Sequence, residues 1–483
     1  MATSWRTWRT RIFIALMVLC SFPGSVMADS ELLTAARRGD LFKVKALLAA
    51  KADVNETRRD GATALMAAST TGHQAIVRKL LDAKADVNAR MINGATALMA
   101  AAAVGNLQVV SALLGAGANV NATANDGLTA LIIASEKGYP QTVHALLAAK
   151  ADVNASAGNG VTALMAAAQE GYRVVVRELL TAGANANART NDGLTALMLA
   201  SEKGYQPVVQ QLLAAGAEVK ASMSNGITAL LMASQNGHQL VVQTLLAAGA
   251  EVNATREHGA TALLMASEMG HPEVVHMLLS ARADVNTKMD NGVTPLMVAS
   301  QAGHLMVVHE LLADKADVNA RTSDGLTALL IASEKGHQKI VQALLATGAD
   351  ADARTNDGIT SLMAAAKEGH QLVVHELIEA KADINARSGN GMTALMAASQ
   401  DGREEVVHVL LAARADVNAA SNDGITALML ASQDGRQEVT QVLLSSGARK
   451  SAKAKDGSTA MTMASQNGHS ETVRLLEEAG RKK

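Results

Sequence analysis

Apolar residues along this chain fall in short clusters of helical spacing, and the clusters return at a fixed interval. In HQLVVQTLLAAGA, residues 238–250, Val241, Val242, Leu245 and Leu246 lie on one stripe of a helix. Ahead of it, ALLMAS at 229–234 adds about two helical turns, opened by Thr228 and ended by Gly237. A threonine at that place is an N-cap whose oxygen accepts an orphan backbone N–H. An Asn-Gly or Asp-Gly pair just before it marks a turn. The predicted element is a turn followed by two short antiparallel helices.

This element recurs every 33 residues without an insertion. A glycine stands at Gly61 and at every thirty-third residue to Gly457, a threonine two residues after each, from Thr63 to Thr459, and a second glycine series runs from Gly72 to Gly468. A turnless unit at about 31–60 precedes thirteen such units, and the last, ending ETVRLLEEAGRKK, carries charge where a further unit would dock, so it reads as a cap. Composition fits thin layers. The chain is 49% hydrophobic but only 2% aromatic, so its core consists of Ala, Leu and Val set close together. One phrase is repeated because no single copy buries its own apolar face, and only a stack forms a core.

The turn, the threonine phrase, the Gly-His turn and the V-x-x-L-L-x-x-G-A-D-V-N segment together resemble the ankyrin repeat, across essentially the whole chain after residue 28. The resemblance implies an all-α ankyrin-repeat solenoid of stacked helix pairs with β-turn or hairpin fingers. It also implies a single repeat domain over 29–483: an N-terminal cap repeat at 29–60, twelve 33-residue repeats over 61–456 and a C-terminal cap at 457–483. Three departures stand out. The histidine of the family's T-P-L-H phrase is replaced throughout, by Met66, Met99 and Met165 for example, and its proline survives only at Pro295. The glycine expected after the second helix is a basic residue in seven units: Lys51, Lys84, Lys150, Arg282, Lys315, Lys381 and Arg414. If that backbone is left-handed, each costs roughly 1 kcal/mol, partly offset by a cation at a helix C-terminus.

Little catalytic chemistry is on offer. There is no G-x-S-x-G and no phosphate-binding G-x-x-x-x-G-K. His144, His276, His309, His375 and His408 share one place in the second helix, but neighbours in that series are a helix-packing distance apart, about 8–10 Å, too far for a zinc site. The NDG turns at Asn125, Asn191, Asn356 and Asn422 lack the acidic alternation of a calcium loop. No metal and no cofactor is implied, and the methionines of the first helix read as core fill.

Residues 1–28 follow a different logic. Arg6, Arg9 and Arg11 precede the apolar run Ile12–Cys20, and Val26-Met27-Ala28 ends in small residues. This is the pattern of a secretory signal peptide, with cleavage expected after Ala28, and it gives a periplasmic or secreted product. The apolar run is too short to span a membrane. Cleavage removes the only cysteine, so no disulfide is expected. It also removes three arginines from a net charge of −2, leaving about −5 with no basic block, which implies neither nucleic acid nor an anionic membrane as partner.

By the resemblance, the function is that of a monomeric, non-enzymatic scaffold that holds an unknown protein partner on its concave side, built from turn tips and the edge of the first helix. The informative positions are those where repeats differ. At the tips these are Arg58, Arg59, Met91, Ile92, Met223, Glu257, Met289 and Asp290, with the methionines and Ile92 expected as apolar contact points. Along the first helix they are Glu136, Glu202, Glu268 and Glu334, part of a carboxylate and amide stripe seven residues after each threonine. The alternative is a structural or oxidant-protective envelope protein that uses its methionines as sacrificial sulfur.

Overall fold

The computed structural model describes residues 30–479; residues 1–28, where a signal peptide is expected, lie outside them. Twenty-eight α-helices run in order from Glu31–Arg38 to Ser470–Glu478, with no extended sheet among the described residues. By mutual contact the chain forms two compact units, one ending at Glu251 and the other beginning at Val252. Each holds seven helix pairs, from Glu31–Arg38 to Gln239–Ala247 in the first and from Ala262–Met269 to Ser470–Glu478 in the second.

Within each unit, first helices pack on first helices and second helices on second helices of successive repeats. The expected N-caps are all present: Thr63 and its twelve counterparts accept the N–H three residues on at 3.2–3.4 Å. First helices are short and buried nearly all round, as in Ala196–Glu202, where every residue from Ala196 to Ser201 is buried. Second helices bury one stripe, Val208, Val209 and Leu212 in the same repeat. Truncating such a leucine to alanine costs about 2–5 kcal/mol. The replaced histidine position accommodates methionine because it faces the next layer: Met66, Met165, Met198 and Met429 are buried. In the last described repeat that position is an exposed threonine, Thr462, which completes a capping box with Thr459. This position is thus polar in the last described repeat where it is apolar in the inner ones.

The basic residues after the second helices are left-handed at all seven positions, with φ between 61° and 70°. The strain anticipated from the sequence is present.

Candidate finger-tip and helix-edge sites

Each finger is a tight hairpin. The Met91 N–H donates to the Ala95 carbonyl at 2.9 Å and the Gly94 N–H to the Met91 carbonyl at 2.8 Å. Gly61 has φ 83°, and a Cβ there would lie 2.9 Å from the Met91 Cα of the next finger, so close approach of fingers as well as turn geometry requires glycine. Fingers are laced by their backbones. The Ile92 N–H donates to the Asp60 carbonyl at 2.8 Å and that of Gly158 to Asp126 at 2.8 Å. In the second unit, Asn356 donates to Asp324 at 3.0 Å and Lys455 to Asp423 at 2.8 Å. Asn125, Asn191, Asn356 and Asn422 add side-chain amides, donating to the preceding tip's carbonyl at 2.8–3.3 Å. Among the described residues the Ser224 N–H has no such partner, so the finger that carries Met223 is held less tightly.

This lacing decides which tip residues reach solvent. Three residues before the key glycine, side chains turn inward; two residues before it, they turn outward. Met91 is only 6% exposed, whereas its neighbour Ile92 is 73% exposed. Met91 is therefore a packed residue and not the contact point expected from the sequence. Met223 and Met289 are half-buried at the same place, and Arg59, Glu257 and Asp290 are exposed beside Ile92 in the outward register. Arg58 directs its guanidinium onto Asp60, with Nε 2.9 Å from Oδ1. That hydrogen bond is the main reason the Asp60 carboxyl titrates below its ordinary range. Arg58 thus braces its own finger.

The glutamate stripe stands elsewhere. Glu136 is the penultimate residue of Ala130–Lys137, whereas the finger enters at the N-cap Thr129. Two turns of helix, about 10 Å, separate the two rows. Glu136 and Glu202 are largely covered and pair with the neighbouring Lys137 and Lys203 at 3.3 and 3.6 Å; Glu334 pairs with Lys335 at 3.1 Å and Glu268 is exposed. The backbone at this place is also engaged. His238, His304 and His370 of the following repeats bond the carbonyls of Glu202, Glu268 and Glu334 at 2.9–3.1 Å. The exposed members of the stripe stand about two helical turns from the tips.

A second ladder was not anticipated. The asparagine of each D-V-N segment accepts, through Oδ1, an N–H of the next repeat at 2.7–2.9 Å, from Asn55 to Asn187 in the first unit and from Asn253 to Asn418 in the second, where Asp352 serves equally. Its signal in the sequence was the 33-residue recurrence of Asn itself. Among the described residues no group of three or more His, Cys, Asp or Glu is placed to hold a metal ion, and no helix is long and apolar enough to cross a membrane.

A family model described as "Ankyrin repeats (3 copies)" matches residues 32–124, 87–157, 131–223, 216–289, 283–355, 342–421 and 413–483. No curated protein matches the chain.

Proposed function

The chain belongs to the ankyrin-repeat family, and from that premise we propose that it is an exported, non-enzymatic scaffold that docks a partner protein on its outward finger tips. Ankyrin repeats generally serve as protein–protein interaction modules. The observation that carries the reading is the contrast between Met91 and Ile92. Beneath the tips, every finger repeats one hairpin and, in most, the same lacing bond, while the outward side chains change from Arg59 to Ile92, Glu257, Asp290 and Lys455. A constant frame with a variable outer row is what a recognition surface needs, since rigid placement lowers the entropy cost of binding.

Export rests on the leader pattern of residues 1–28, and places the partner in the periplasm or outside the cell. The methionine-protection alternative requires accessible sulfur; Met269 and Met306 are exposed, but Met66, Met99, Met165, Met198, Met297, Met363, Met396 and Met429, in the first helices, are at most 4% exposed. Folded packing shields them from peroxide.

The test is co-purification from the exporting cell, comparing the native chain with Ile92→Asp, Asp290→Arg and, on the exposed side of a second helix, Glu273→Arg. Loss of a stoichiometric partner with either tip variant but not with Glu273→Arg supports the reading; equal recovery with all three refutes it. Intact mass of the same sample reports whether the chain begins at Asp29.

A further inference from the structure

All three tyrosines of the chain stand at one register of successive repeats: Tyr139, Tyr172 and Tyr205, each directly after the glycine that follows a first helix. Each ring covers a glycine of the repeat before. A Cβ at Gly105, Gly138 or Gly171 would meet Tyr139, Tyr172 or Tyr205 at 2.6–2.8 Å. At this register His238 and His370 do the same covering and also bond a first-helix carbonyl at 2.9 Å. Arg403 and Arg436 do so at 2.9 and 3.0 Å. Among the described residues the tyrosines make no such bond. Three consecutive repeats forgo a capping hydrogen bond that histidine would supply, so covering the glycine does not by itself account for tyrosine.

The rings remain partly in solvent, Tyr172 at 36%, with Val174 and Pro207 exposed just beyond them. Successive repeats are set apart by a helix-packing distance, about 8–10 Å. A polyproline II helix advances about 9 Å per three-residue turn, so three rings in succession meet three successive turns of such a helix. Among the described residues no sheet edge lies at this register to pair with a strand, and a polyproline II segment needs none, because its backbone carbonyls face outward. Flat aromatic faces take proline rings, and phenols donate to carbonyls. Burial, and after it the Glu170 charge, raise the Tyr172 pKa. Charge around the ladder is mixed: Glu136 pairs with Lys137 and Glu202 with Lys203, and Arg173 is exposed beside Tyr172.

We propose that Tyr139, Tyr172 and Tyr205 form a docking ladder for a proline-rich segment of a partner protein in the polyproline II conformation. The ladder lies at the opposite end of the first helices from the finger tips and does not depend on the reading of those tips.

Fluorescence anisotropy tests it directly, with the purified full chain and two labelled peptides of about twelve residues: arginines spaced in a proline background, and the same arginines in a glycine-serine background. Tyr172→His keeps the glycine covered and supplies the capping bond, so it should fold and melt at least as high as the native chain; Tyr205→His serves as a second variant. The proline peptide should bind at least about tenfold more tightly than its control, and either histidine variant should weaken it by about tenfold or more. Equal affinity for both peptides, no measurable binding of the proline peptide, or affinity unchanged in both folded variants would overturn the proposal.

Discussion

The side-chain oxygen of Asn187 accepts the backbone N–H of Glu218, 31 residues on, at 2.7 Å. Its amide also donates to the Gly216 carbonyl at 3.0 Å, so one side chain joins the second-helix end of one repeat to that of the next. In the following repeat the equivalent residue is Lys220, whose ammonium pairs with Glu251 at 3.0 Å, both side chains being more than half exposed. An exposed ion pair contributes little, whereas a satisfied amide bridge contributes about 1 kcal/mol. Lys220→Asn should therefore stabilise the chain by about 1 kcal/mol, and Asn187→Ala should destabilise it by a similar amount. Urea denaturation read by circular dichroism checks both signs.

Lys150 has φ 70°, where a side chain is strained and glycine is not. Its charge at a helix C-terminus returns part of that cost, as does the greater freedom of glycine in the unfolded chain. Lys150→Gly should raise stability by about 0.5 kcal/mol, while Lys150→Ala, which keeps the strain and loses the charge, should lower it. A thermal-melt ranking of Gly, Lys, Ala in that order bears this out; Ala above Lys would show that the cation is unfavourable there.

Ser201 is fully buried and its hydroxyl has no hydrogen-bond partner among the described residues, a state it shares with Ser135, Ser267 and Ser333. Ala168 and Ala366 occupy the same register. An unsatisfied buried hydroxyl costs about 1–3 kcal/mol, so Ser201→Ala should stabilise by about 1 kcal/mol at equilibrium, with no change in helix content.

Asp60 gives a pH signature. Its carboxyl is held below the ordinary range, first by the Arg58 hydrogen bond and against a smaller effect of burial. A depressed folded pKa contributes stability that is present above the unfolded value, about 4, and is lost as pH falls through the lower folded value. Asp60→Asn should melt below the native chain at pH 7, and the gap should close in the acid range below pH 4.

The architecture was legible because each of its determinants is local. A 33-residue glycine period, a threonine N-cap and basic residues at a left-handed place can all be read without knowing which repeats touch. Orientation at the tips was not. Met91 and Ile92 are adjacent, apolar and equally plausible, and only the lacing of one finger onto the next turns the first inward and the second outward. The same limit hid the role of Arg58, which depends on a turn that brings Asp60 back to it, and the asparagine ladder, whose partners lie 29 to 31 residues away. Nor does spacing in sequence show that two turns of helix separate the glutamate stripe from the tips.

The central claim is that a partner meets the outward tip register, and it is tested most directly by site-specific photocrosslinking in the exporting cell. A photoreactive residue would replace Ile92, and in separate samples Asp290 and Glu273. The account predicts one dominant protein adduct, the same from Ile92 or Asp290 as recovered by co-purification, and none from Glu273. Equal capture from all three positions, or capture from Glu273 alone, would contradict it.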